Sequence, residues 1–337
     1  MAEAPGVVER EELSRGSAVG RVARSFLQLR WASILLVAIA LGAYFTFANE
    51  NFLTRPNVLT IAQFLAATAI ITAGEVMLII CGEIDLSVGQ VFALAPFIMF
   101  FTWDAGAPIW VGVITGLIVS SLVGALNGLI TVLLRVPSFV TTLGTLFLLN
   151  GFTLTISHAF PVRTPENGTP FAEVMGHNTY FEFGWAIAAI IVMQIVLSYT
   201  RWGLYTFSVG GNIVGASEAG VNVNGIKVAN FMLTSTLGGL AGILESFRIT
   251  SIEPLAGGTD IMFRAVAAAV IGGTALTGGS GTIVGGLLGA LVLSVLLDGF
   301  TLVGINADTF DMILGISILV AMIFNQYLQR SRRRGMS

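Results

Sequence analysis

Among 337 residues the chain has one lysine, one cysteine and two histidines, and charged residues make up only 10%. A soluble domain carries roughly 25% charged residues, so too little polar surface is present to keep a globule in water. A disulfide scaffold is excluded by the lone Cys81. The only lysine, Lys227, lies in Asn224-Gly225-Ile226-Lys227-Val228, so no phosphate-binding Gly-Lys-Ser/Thr loop exists and ATP is not bound by that route. His158 and His177 lack carboxylate or cysteine neighbours at ligand spacing, and no metal site is expected. No aspartate pair of the GxGD type, His-Glu-x-x-His helix or Ser/His pair falls within an apolar run, so catalytic residues are not expected either. The arginines form no stripe for nucleic acid.

What remains is apolar: 55% of residues are hydrophobic and mean hydropathy is +0.88. A bilayer core is about 30 Å thick and needs roughly 20 apolar residues per helix. Ten runs approach that length: 31–48, 57–81, 85–103, 108–134, 138–157, 184–200, 228–248, 264–277, 282–297 and 309–328. Because they are continuous and not alternating, they predict helices in preference to a β-barrel. The fold class expected is therefore an all-α polytopic membrane protein with about ten transmembrane helices. Residues 31–328 form the membrane domain, between a cytoplasmic tail over 1–30 and a basic tail over 329–337.

Arginine placement orients the chain. Five arginines precede the first run and four follow the last, and an even span count puts both ends on one side, the cytoplasm. The inner connections then include residues 200–227, whereas the longest outer loop, 158–183, holds Glu166, Glu173 and Glu182. Residues 1–30 mix glutamates with arginines and lack a cleavage pattern. They read as a solvated tail, with an amphipathic surface helix over 17–29 as the alternative.

Carboxylates within apolar runs are costly and mark functional candidates. Glu75 is the clearest. Gly82-Glu83-Ile84-Asp85-Leu86-Ser87-Val88-Gly89 joins two runs with almost no polar spacer and predicts a helix break lining or shaping a solute pathway. The plainer reading makes Asp85 or Ser87 an N-cap. Asn127 and Asn150 suit interhelical hydrogen bonds first and substrate hydroxyls second. Glu245 and Arg248 have the spacing of a same-face ion pair. A shift of 170 positions lays Glu75 on Glu245 and Glu83 on Glu253, the pattern of an inverted internal repeat. Gly281, Gly285 and Gly289, like Gly124 and Gly128, recur every four residues, which suits close helix packing within the chain. The 200–227 connection reads as short helices bounded by Gly and Asn.

Those segments carry a resemblance. Residues 82–89, Val136-Pro137-Ser138-Phe139-Val140-Thr141-Thr142-Leu143-Gly144, the 210–224 loop, and Ala267-Ala268-Ala269-Val270-Ile271-Gly272-Gly273-Thr274-Ala275-Leu276-Thr277-Gly278-Gly279 are similar, in order, to ribose/xylose-type permeases of bacterial ABC importers. The chain differs at Phe263-Arg264-Ala265-Val266, where sugar permeases carry an acidic residue. The resemblance implies the ABC importer permease fold and a subunit of the inner membrane that moves a monosaccharide or small polyol inward. It implies a homodimer, a separate ABC ATPase holding ATP and Mg, and a periplasmic or lipoprotein sugar-binding protein. No cofactor is expected on this chain. Gly210, Asn212, Glu218, Ala219, Gly220, Asn222 and Lys227 would form the segment coupled to the ATPase. A proton-coupled secondary transporter, with Glu75 or Glu83 carrying the proton, is the alternative.

Overall fold

The computed structural model describes residues 32–305 and the isolated positions 309, 312, 313, 315, 316 and 319. Both tails, and nearly all of the expected 309–328 run, lie outside the described residues. Helices underlie the other nine runs: α1 (Ala32–Ala48), α2 (Arg55–Ile80), α3 (Val88–Asp104), α4 (Ile109–Leu133), α5 (Ser138–Ile156), α6 (Thr179–Tyr199), α7 (Arg201–Gly211), α8 (Ile213–Glu218), α9 (Val223–Ile249), α10 (Gly258–Ile271) and α11 (Ile283–Leu302), with α7 and α8 between runs. Six of these, α2, α4, α5, α6, α9 and α11, are long and apolar enough to cross a membrane.

Two helices of about 40 Å, at 1.5 Å per residue, form the centre. Every residue of α2 from Leu65 onward is buried, and α9 packs against α2, α3 and α4. The glycines of α4 lie on the backbone of α9, Gly124 against Phe231 and Gly128 against Val228, while Gly285 and Gly289 of α11 lie on Gly272 and Ala268. The four-residue glycine rows thus serve packing inside the chain, where small residues let backbones meet. The outward faces of α4, α5 and α6 expose Leu122, Phe147 and Ile191, as a face turned to lipid does.

The chain ends follow local signals. Pro56, Pro108 and Pro137 stand at helix starts, where a missing N–H costs nothing. The α2 helix stops in a Schellman motif: Glu83 N–H donates to Leu78 O at 3.1 Å and Gly82 N–H to Ile79 O at 2.9 Å, with Gly82 at φ 86°. Only glycine takes that left-handed conformation without strain.

Three expectations need correction. The helix expected over 184–200 starts at Thr179, because Asn178 caps it by accepting from Tyr180 N–H at 3.0 Å. The run expected over 264–277 is helical over Gly258–Ile271, since polar Thr259 and Asp260 enter the first turn and the chain turns at Gly272 and Gly273. The chain is not wholly helical, for β1 (Val162–Arg163) pairs antiparallel with β2 (Ser251–Ile252), Val162 opposite Ile252. This ladder ties the 158–178 loop to the end of α9, helped by Thr164 Oγ1 donating to Ser246 O at 2.7 Å.

At that end Thr250 is held at φ 57°, a conformation that costs a β-branched residue about 1–2 kcal/mol. Thr250→Asn, which tolerates it, is expected to stabilise the protein by about 1 kcal/mol, read as a higher thermal midpoint of the detergent-solubilised chain.

Candidate functional site

After Gly82 the chain does not continue outward but turns back, and α3 begins beside the middle of α9, with Val88 against Gly238. The turn is organised by Asp85. Its Oδ1 accepts from Ser87 N–H at 2.8 Å and from Ser87 Oγ at 2.6 Å, and its Oδ2 accepts from Ser235 Oγ of α9 at 3.0 Å. Asn127 of α4 donates to Ser87 Oγ at 2.8 Å and accepts from Thr145 Oγ1 of α5 at 2.6 Å. Five side chains from four parts of the chain thus share one buried network, in which Asp85, Ser87, Asn127 and Ser235 have no exposed surface. Where water is excluded, such a network fixes one geometry because an unmet donor is costly. Asp85 therefore caps the turn through the amide of Ser87, while Ser87 makes no side-chain cap of its own.

A second break follows α9. Residues 250–257 also turn back, and α10 begins at Gly258 against Gly89: a Cβ on Gly89 would lie 1.8 Å from the Gly258 carbonyl oxygen. Two half-length helices therefore start side by side in the interior, α3 leading to one end of the bundle and α10 to the other.

The remaining expected residues fall in distinct places. Glu75 is wholly buried in α2 with no hydrogen-bond partner for either carboxylate oxygen. Glu83 is nearly buried and paired with Lys227. Asn150 is half-buried on α5 and takes no part in the Asp85 network. Glu245 forms a two-pronged pair with Arg248, one bond Nε to Oε2 at 2.8 Å. Glu182, expected in an outer loop, is instead buried in the first turn of α6, with Arg248 Nε at 3.6 Å from its Oε1. Sequence reasoning missed Ser235 and Thr145 as well. For Ser235 the run Thr234-Ser235-Thr236 inside α9 was the visible signal, three hydroxyls in an otherwise apolar stretch.

Residues 200–222 build an exposed knob at the end of the bundle where α2 stops. Thr200, Asn212 and Asn222 each cap a helix, accepting from Gly203, Gly215 and Gly225 N–H at 3.3, 3.0 and 3.0 Å, the role these residue types fill best. Glu218, Ala219 and Gly220 close α8 at the surface, and Ile213 and Val214 are exposed on it. A concavity of about 410 Å³ between α7 and α8 is lined by Phe207, Asn212, Ala216 and Val221 among others. Gly210 seats the knob on the end of α2: a Cβ there would meet the Ile80 carbonyl oxygen, which Gly279 N–H also meets at 2.8 Å.

Compared with known protein families, residues 57–322 match the permease component of the branched-chain amino acid transport system. The xylose/arabinose import permease protein of Sulfolobus acidocaldarius is 39% identical over 311 residues, covering 88% of this chain and 85% of that protein. The ribose import permease protein of Escherichia coli K12 is 33% identical, covering 88% and 93%, and the fructose import permease protein of Rhizobium meliloti 29%, covering 88% and 85%. No solved structure matches the chain. Membrane-length helices, a buried polar break and similarity along most of the length agree: this multi-pass membrane chain belongs to the family of branched-chain amino acid transport system permease components.

Proposed function

We propose that the chain is the permease subunit of an ATP-driven ABC importer carrying a monosaccharide or similar small polyol into the cytoplasm. The observation that carries this reading is the α7–α8 knob, which presents exposed Ile213 and Val214 and a concavity beside them, while its base is packed against the end of α2. An exposed apolar patch rimmed by polar residues suits a protein partner. That partner is a separate ATPase holding ATP and Mg, docked on Gly210, Asn212, Glu218, Ala219, Gly220 and Asn222. A periplasmic or lipoprotein binding protein delivers the sugar at the opposite end. The sugar class follows from relatives named for xylose/arabinose, ribose and fructose import.

In this reading the chain has about ten spans with both termini cytoplasmic, and works as a homodimer. Its halves are an inverted repeat: α2, break and α3 correspond to α9, break and α10 at an offset near 170. The starts of α3 and α10 lie in contact and lead to opposite ends, which supports that relation. Glu75, Asp85, Ser87 and Asn127 shape the pathway from behind, and Asn150, Glu83 and Glu245 lie along it.

Affinity purification from native membranes in mild detergent tests the proposal: a stoichiometric P-loop ATPase with ATP hydrolysis is expected. Isolation of the chain alone, with uptake collapsed by an uncoupler while ATP is maintained, would instead establish proton-coupled transport. Glu75→Gln tests the assignment of Glu75 to the pathway, and not the source of energy, since a proton carrier there would lose uptake too. Glu75→Gln keeps the side-chain shape and loses no hydrogen bond, so assembly is expected to be unchanged, whereas uptake falls about tenfold or more, equivalent to roughly 1.4 kcal/mol.

A further inference from the structure

The polar break and the knob meet through the first turns of α9. Lys227, the only lysine of the chain, forms an ion pair with Glu83, 144 residues away, and the two side chains are only 15% and 11% exposed. Glu83 stands two residues before Asp85. Three residues after Lys227, fully buried Asn230 accepts from Trp202 Nε1 at 2.8 Å and donates to Thr206 Oγ1 at 3.2 Å, both on α7. Eight residues after Lys227, Ser235 bonds Asp85. Beneath these contacts Cys81 packs in a small apolar cluster with Val209 of α7 and Ala216 of α8.

We infer that the Lys227–Glu83 ion pair links the knob to the break, so that displacement of α7 and α8 on an ATPase is carried by α9 to the Asp85 turn. Lys227 is thus a positioning residue for transport, and the inference rests on the ATPase-docked reading above. Asp85 is met by neutral donors, whereas Glu83 is met by a full charge. Removing one partner of a nearly buried pair leaves the other uncompensated, so the pair resists separation when the helix moves. Asn230 holds α9 to α7 at one level and Lys227 holds it to the break at the next, which leaves little freedom for one to move alone.

Cys81, the only thiol of the chain and 1% exposed, reports on this junction. The experiment measures its alkylation by N-ethylmaleimide in the complex purified with its ATPase, by peptide mass, with and without ATP, Mg and vanadate. In the natural chain, trapping nucleotide is expected to change the rate at least about threefold. In Lys227→Met and in Glu83→Gln the ATPase stays bound, but the nucleotide-dependent change is expected to fall below about 1.5-fold. Lys227→Arg, and the exchanged pair Glu83→Lys with Lys227→Glu, are expected to retain it. The exchanged pair and Glu83→Gln carry the test if Lys227→Met does not assemble. A natural-like response in Lys227→Met or Glu83→Gln would overturn the inference. So would a natural complex holding its ATPase in which Cys81 ignores nucleotide. Absence of any ATPase from the purified natural chain would instead overturn the proposed function itself.

Discussion

Asp85→Ala is expected to abolish uptake and to destabilise the protein by about 3 kcal/mol, because three buried donors lose their acceptor at once. The Ser87 amide, the Ser87 hydroxyl and the Ser235 hydroxyl all point at this one carboxylate. No water reaches the site to replace it, since Asp85, Ser87 and Ser235 have no exposed surface. Asp85→Asn separates the two contributions. It keeps an oxygen for Ser87 and places an amide opposite Ser235, whose hydroxyl can accept, so the expected loss is about 1 kcal/mol. Thermal midpoints of the two variants in detergent, measured beside uptake of D-xylose, D-ribose and D-fructose in cells, check the ordering. Equal midpoints for Asp85→Ala and the natural chain would show that the network does not hold the break.

Gly210→Ala carries the second large effect. A methyl group there would lie 1.6 Å from the Ile80 carbonyl oxygen and 2.7 Å from the Gly279 nitrogen. These are backbone atoms that cannot rotate away, and Ile80 O is already held by Gly279 N–H. Relief requires α7 to lift from the end of α2, taking the knob with it. Overpacking of this kind costs about 1–3 kcal/mol or more. ATPase recovered with the purified variant is expected to fall at least about tenfold. The neighbouring residue is the control, because a Cβ on Gly211 meets nothing within 4 Å. Gly211→Ala adds a better helix former at the end of α7 and is expected to change stability by no more than about 1 kcal/mol, in the favourable direction. If both alanines bind the ATPase equally, the knob is not positioned by this contact.

The helices were legible because their signal is local. Runs such as 108–134 and 138–157 end within a residue or two of α4 and α5, and Pro108 and Pro137 mark the starts. The break was legible too, from two carboxylates and two glycines in eight residues. Its wiring was not. Nothing near Asp85 says that its partner is Ser235, 150 residues later, and serine and threonine are common enough in membrane helices to carry little signal singly. Lys227 was read as part of the knob, and Glu83 as pathway; their pairing depends on how α9 lies against the end of α2. Glu182 falls in the expected outer loop because the apolar run begins only at Gly184, whereas the helix starts earlier and Arg248 reaches Glu182 from α9. Sequence thus located the places where polar groups enter the apolar interior, and the packing of distant helices decided what each one met.

The distance along the chain between Asp85 and Ser235 has a consequence for biogenesis. At about 5–20 residues per second, a ribosome needs roughly 8–30 s to make the 150 residues that separate them. During that interval the break has been synthesised but its α9 partners, Ser235 and Lys227, have not. Until α9 arrives the Asp85 carboxylate lacks Ser235 and Glu83 lacks Lys227, so burying the turn in lipid before then is costly. Slowing translation through residues 90–230 lengthens that interval.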